Sequence, residues 1–118
     1  MQGVDKMPEK NLLIIIRSAP YRTLDYYEGT RVAAGLIEHK VRILYKGDGV
    51  YAATKASDKK LTGQFLSDLP DLEVELYADV SALRDRGIDD SELASSILPA
   101  DAKKITELTV NSEASLVF

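Results

Sequence analysis

The chain has 118 residues, of which 45% are hydrophobic and 29% charged, and its formal net charge is −4. This balance is typical of one globular domain, and it argues against a disordered chain and against a basic nucleic-acid-binding surface. Cysteine is absent, which excludes disulfides, thiolate metal sites and cysteine nucleophiles. His39 is the single histidine, which excludes a histidine-rich metal site. The longest apolar run, Leu12 to Ile16, is too short to span a bilayer, and no secretory h-region is present; we expect a cytoplasmic protein.

The first half of the chain begins with a polar, aperiodic segment and continues into a strand and a helix. Residues 1–10 predict a flexible tail ahead of a single domain at residues 11–118. Asn11 to Arg17 is an apolar run rich in isoleucine, which is typical of a strand buried on both faces of a parallel sheet. Residues 24–40 have helical periodicity, with Gly29 on the apolar face, where a glycine allows a helix to approach a sheet closely.

The middle of the chain continues the alternation of strands and helices. Val41 to Lys46 predicts a second strand, and Gly47 to Gly49 a tight turn after it. Lys59 to Leu69 predicts a helix, which Pro70 ends. Leu72 to Ala78 predicts a third strand with one partly solvated face, because glutamates alternate there with apolar residues.

The last third of the chain predicts a short helix from Asp79 to Arg86, a brief strand at Ile97 and Leu98, a helix from Asp101 to Val110 and a final strand from Ala114 to Phe118. The alternation as a whole predicts an α/β domain of three layers. Its five-stranded sheet is mostly parallel, and the first three strands are the inner ones.

Ligands of such sheets bind beyond the carboxyl ends of the strands, so the loops at Ser18, Gly47 and Asp79 are candidate sites. Each also has a purely structural interpretation, which we weigh as the stronger one. Thr23 and Asp79 are good N-cap residues, although a carboxylate at a strand end can also serve as a base. His39, in the last predicted helical turn, suits the helix dipole better than a catalytic role. Tyr27, next to the core residue Tyr26, is a candidate for contact with a partner chain.

Five short motifs resemble the DsrE/DsrF-like sulfur-relay family in order and spacing, and the DsrF/TusC branch most closely. They are Arg17-Ser18-Ala19-Pro20-Tyr21, Glu28-Gly29, Gly47-Asp48-Gly49-Val50-Tyr51, the stretch from Ser81 to Ile88, and Leu116-Val117-Phe118. The resemblance implies a flavodoxin-like domain that forms trimers or hexamers, either with itself or with cysteine-bearing DsrE-like paralogues. From the residues themselves we expect no cofactor, no metal, no direct contact with nucleic acid and no membrane span.

In relatives that pass persulfide sulfur between proteins, one cysteine follows the third strand, and the corresponding residue here is Asp79. The resemblance therefore implies a subunit or binding module without its own persulfide carriage, and no catalytic residue is assigned. The alternative is a stand-alone ligand-binding protein or enzyme that uses the strand edge around Asp79. The residues of the expected ligand or partner edge are Ser18, Tyr21, Gly47, Asp48, Gly49, Tyr51 and Asp79.

Overall fold

A computed structural model describes residues 10–20, 23–36, 38–56 and 69–118. The strands are β1 (Asn11–Ile16), β2 (Lys40–Tyr45), β3 (Glu75–Asp79), β4 (Ile97–Ala100) and β5 (Ala114–Val117). The α-helices are α1 (Asp25–Gly35), α2 (Val80–Asp85) and α3 (Ala102–Val110), and short 3₁₀ helices cover Gly47–Ala53, Leu69–Leu72 and Asp90–Glu92. All four strand pairings in the sheet are parallel, which confirms the predicted α/β class.

The strand order is β4-β3-β2-β1-β5, so the chain moves in one direction across the sheet and then returns past β1 to add β5. Right-handed crossovers place helices of the outward path on one face and the helix of the return path on the other. The packing agrees with this rule, because α1 and α2 share a core with Ile14 and Ile43 while Leu108 of α3 packs on Leu13. The result is a three-layer, flavodoxin-like arrangement with β1, β2 and β3 inside the sheet.

Strand β1 has apolar side chains buried on both faces, as its sequence predicts. Leu13 faces the α3 side, and Ile14 and Ile16 face the α1 side, all with no exposed area. Helix α1 lies close above this strand because Gly29 has no side chain: a Cβ there would be 3.1 Å from Ile16 Cγ1 and 3.1 Å from Phe118 Cδ2. The predicted function of Gly29 in close packing is therefore confirmed.

The prediction that α1 extends to Lys40 is wrong, since the helix ends at Gly35. Lys40 already pairs with Asn11 as the first residue of β2, so the chain must leave the helix several residues earlier to reach the sheet. His39 accordingly lies outside the helix, and its Nδ1 accepts a hydrogen bond from the backbone N–H of Lys10 at 3.2 Å. The interpretation of His39 as a cation at a helix end is therefore wrong, because its side chain instead accepts a hydrogen bond from the backbone.

Strand β3 begins three residues later than the predicted start at Leu72. Leu72 ends a 3₁₀ helix, and Glu73 has a positive φ of 66°, a backbone conformation that interrupts a strand. The partly wet face is nevertheless present, because the Glu75 side chain is exposed to solvent. Its carboxylate accepts hydrogen bonds from Arg42 Nε and the Tyr77 hydroxyl, both at 2.9 Å. Burial raises the pKa of Glu75, but the hydrogen bonds from Arg42 and Tyr77 outweigh it and hold this pKa below its ordinary value.

Two predicted segments lie largely outside the described residues, namely the tail apart from Lys10 and the helix at 59–69 apart from Leu69. The turn predicted at Gly47 to Gly49 is instead the start of a 3₁₀ helix that runs to Ala53. The remaining predicted elements are present, with ends shifted by one or two residues. Among the described residues, no helix combines the length and the apolar character that a membrane crossing requires.

The contact between α1 and β1 predicts a difference between two glycines of the same helix. We expect Gly29→Leu to lower the free energy of unfolding by roughly 1–3 kcal/mol, because a side chain there must push Ile16 and Phe118 aside. Gly35→Leu is the matched control, since nothing lies within 4 Å of a Cβ at that position. Urea unfolding of both variants measures the difference, and equal stabilities would contradict the packing interpretation.

Candidate functional site

The candidate site is the edge of the sheet at which the parallel strands end. Ile16 pairs with Tyr45, and Tyr45 pairs with Ala78, so β1, β2 and β3 end side by side. The loops that follow them, which carry Ser18, Gly47 and Asp79, therefore leave the sheet at the same edge. This is the predicted convergence of the three loops, whereas a ligand at this edge remains a prediction.

Two glycines bring the loop after β2 against the end of β1. Gly47 has a φ of 52°, in the left-handed region that glycine adopts most readily. Gly49 packs so closely that a Cβ on it would lie 2.0 Å from the carbonyl oxygen of Ile16. Any side chain at position 49 would have to displace the backbone of β1. Asp48, held between these two glycines, is thereby placed beside the Ser18 loop.

A polar cleft of about 240 Å³ lies between these two loops and is lined by Arg17, Ser18, Ala19, Thr23 and Asp48. Asp79 is not among its lining residues. The hydroxyl groups are engaged within the chain: Ser18 Oγ donates to Asp25 Oδ2 at 3.3 Å, and Thr23 Oγ1 accepts from the Asp25 N–H at 3.2 Å. The prediction of Thr23 as the N-cap of α1 is corrected by one residue, because the N-cap position is Leu24 and Thr23 supports the first turn from the residue before it.

An ion pair joins the loop after β2 to the end of α2. Arg86 donates from Nη2 and Nε to Asp48 Oδ1, at 2.8 and 3.2 Å, and from Nη1 to the carbonyl oxygen of Ala82 at 3.0 Å. Its guanidinium group also lies 5.9 Å from the centroid of the Tyr51 ring. The hydrogen bond to Asp48 raises the pKa of Arg86. This ion pair was not predicted, because Asp48 and Arg86 are far apart in sequence. The feature of the sequence that could have indicated it is that each charged residue lies next to a glycine turn, Asp48 at Gly47 and Arg86 at Gly87.

Asp79 is the last residue of β3 and the N-cap of α2. Its Oδ1 accepts a hydrogen bond from the backbone N–H of Ser81 at 3.0 Å, so the predicted cap is confirmed. Gly87, with a φ of 66°, follows the helix. Tyr21 lies outside the described residues, and Tyr27 packs partly against the core beneath α1.

Within the described ranges, no group of three or more histidine, cysteine, aspartate or glutamate side chains is arranged to hold a metal ion. Among the described residues, the polar groups that line the cleft are the Arg17 guanidinium, the hydroxyl groups of Ser18 and Thr23 and the Asp48 carboxylate. Arg17 and Asp48 bring opposite charges to the lining of the cleft, while Asp79 caps α2 at the end of β3.

Comparison with protein families gives a match to the DsrE/DsrF-like family model over residues 10–118. The chain belongs to the DsrE/DsrF-like family. No curated protein matches it. Among solved structures, this family member is similar to the ychN protein from E. coli, with a TM-score of 0.81, 19% identity and coverage of 92% of this chain and 99% of that one. It is also similar to the protein of unknown function MTH1491 from Methanobacterium thermoautotrophicum, with a TM-score of 0.70, 18% identity and coverage of 94% and 100%.

The capping bond of Asp79 predicts a measurable stability effect. We expect Asp79→Ala to lower the free energy of unfolding by about 1 kcal/mol, because the Ser81 N–H loses its side-chain acceptor. Asp79→Asn is the matched control, since an amide oxygen caps about as well while the charge is removed. Urea unfolding curves give both values. An alanine variant as stable as the wild type would show that the cap contributes little.

Proposed function

We propose that this member of the DsrE/DsrF-like family is a cysteine-free, DsrF/TusC-like subunit or binding module of a sulfur-relay assembly. The observation that carries the proposal is the chemistry of Asp79. At the end of β3, where the family resemblance assigns the persulfide cysteine, the chain has a carboxylate that caps α2, and none of its 118 residues is a cysteine.

A persulfide carrier needs a sulfur atom that attacks as a thiolate and then forms an S–S bond. A carboxylate provides neither the soft nucleophile nor the second sulfur. Asp79 also places negative charge at the edge, which opposes the approach of an anionic persulfide from another protein. In this proposal the chain binds and positions a cysteine-bearing paralogue and does not hold sulfur itself.

The sulfur step is testable with radiolabelled sulfur and a cysteine desulfurase. We expect no stable covalent label on this chain alone, because it offers no thiol. We expect transfer to a cysteine-bearing DsrE-like paralogue to increase when this chain is added. Stable label on the isolated wild-type chain would disprove the proposal. The proposal would also fail if adding the chain did not change the rate of sulfur transfer to any of the paralogues that co-purify with it.

A thiol introduced by mutation provides a positional control for this assay. In the proposal, Asp79→Cys recreates the family's cysteine in a chain with no competing thiol, and we expect it to accept label. Ser95→Cys, in an exposed turn between the 3₁₀ helix Asp90–Glu92 and β4, is the matched control. Equal labelling of the two variants would show that position 79 has no special relation to sulfur transfer.

Assembly is the second expectation that the family supports. We expect a trimer or hexamer, formed either by identical chains or with DsrE-like paralogues, in the cytoplasm. Static light scattering of the purified chain at micromolar concentration should give a mass well above the 13.0 kDa of one chain. A monomer under these conditions, both alone and with the paralogues, would contradict the assembly and the role of a positioning subunit.

The cleft beside Arg17 supports a second candidate function, a stand-alone ligand-binding protein or enzyme on the same scaffold. It lies at the end of β1, where the chain's path across the sheet reverses, and ligands of open α/β sheets bind at such points. Native mass spectrometry of protein purified from its host would favour this function if a small molecule is retained and if Arg17→Gln releases it.

A further inference from the structure

The edge strand β5 is unusually open compared with the opposite edge of the same sheet. All four of its residues are exposed, and Leu116 and Val117 keep 46% and 59% of their accessible area. Natural sheets usually protect an edge with proline, a charge or a bulge, because unpaired backbone groups invite another strand. The other edge, β4, contains Pro99, whereas Ala114 to Val117 contains neither proline nor charge.

The hydrogen bonds of Phe118 show which backbone groups point outward. Phe118 donates from its N–H to the Ile15 carbonyl and accepts from the Arg17 N–H, at 2.8 and 2.7 Å, so both of its groups face β1. Because residues of a strand alternate in direction, the N–H and C=O groups of Ser115 and Val117 face away from β1. Within the described part of the chain, no strand pairs with that side of β5.

We infer that β5 pairs with β5 of a second copy of this chain, antiparallel and across a two-fold axis at Leu116. In that register, Ser115 lies opposite Val117 of the other copy, and each such pair exchanges two backbone hydrogen bonds. Leu116 lies opposite its own counterpart as the closer, non-hydrogen-bonded pair. The two five-stranded sheets thereby become one continuous sheet of ten strands.

The chemistry of the strand favours a second copy over a different partner. A two-fold axis brings each residue near its own copy, so a charge at the centre would face an identical charge. Residues 114–118 carry no charged side chain, and the central residue is a leucine whose exposed surface becomes buried against an identical leucine. Leu116 lies on the same sheet face as Ile14, and Val117 on the same face as Ile15, so the contact covers apolar surface on both faces.

This interface does not depend on sulfur handling, so the two proposals can fail separately. It is compatible with the expected assembly, because a two-fold contact combined with a three-fold contact closes a hexamer. If only the two-fold contact exists, the particle is a dimer. In either case, loss of the β5 contact halves the mass.

Cysteine cross-linking provides a direct test, since the chain has no other thiol. Cα atoms of a non-hydrogen-bonded pair lie about 4.5 Å apart, within the range of a disulfide. We expect Leu116→Cys to form a covalent dimer under mild oxidation. Leu98→Cys is the matched control, because Leu98 is 58% exposed on the opposite edge strand, and we expect it to remain uncross-linked. Equal cross-linking of the two variants, or none for Leu116→Cys, would overturn the inference.

A charge at the axis tests the same interface without covalent chemistry. We expect Leu116→Lys to weaken the association at least tenfold and to halve the mass measured by sedimentation velocity, while Leu98→Lys leaves the mass unchanged. Circular dichroism checks that both variants are folded. We expect intact folds, because the side chains at both positions are exposed in the wild-type protein. A folded Leu116→Lys protein with the wild-type mass would disprove the pairing, as would a wild-type chain that stays monomeric.

Discussion

The close packing of backbone around Ile16, the last residue of β1, is the constraint on which the rest of the structure depends. Gly29 brings α1 onto its side chain, Gly49 brings the loop after β2 onto its carbonyl oxygen, and that oxygen also accepts the N–H of Lys46 at 2.9 Å. Phe118 packs against the same glycine of α1. Three segments far apart in sequence thus meet at one residue, and two of them can do so only because they lack a side chain there.

This junction also sets the geometry of the candidate edge. Because Gly49 is pressed against the end of β1, Asp48 lies beside the Ser18 loop and within reach of Arg86. The Asp48 carboxylate is about half exposed, and exposed ion pairs contribute no more than about 1 kcal/mol after screening by solvent. The Arg86 contact is therefore better understood as orienting the loop than as stabilising the fold. Its two hydrogen bonds to one carboxylate oxygen and one to Ala82 restrict the guanidinium group strongly.

The features that the sequence predicts well are those that depend on local patterns. The isoleucine-rich run of β1, the alternation of strands and helices, the cap at Asp79 and the closely packed Gly29 are all encoded within a few neighbouring residues. The end of α1 and the start of β3 are not, because they follow from where Lys40 must meet Asn11 and from the positive φ of Glu73. The pair of Asp48 and Arg86 spans 38 positions and arises only when β2 and β3 lie side by side.

At position 79, capping the helix and carrying a reactive sulfur call for different side chains. This position ends a strand and begins a six-residue helix, so the Ser81 N–H needs an acceptor, and aspartate is among the best residues for that purpose. Cysteine is not among the preferred caps, and its sulfur is a weak acceptor. A thiol at this position would therefore be freer to react because it is less well held, whereas Asp79 is held by the backbone and has no sulfur chemistry. In this chain the carboxylate instead stabilises the junction between β3 and α2, and its inability to hold sulfur is the reason for the proposal that another protein carries the sulfur.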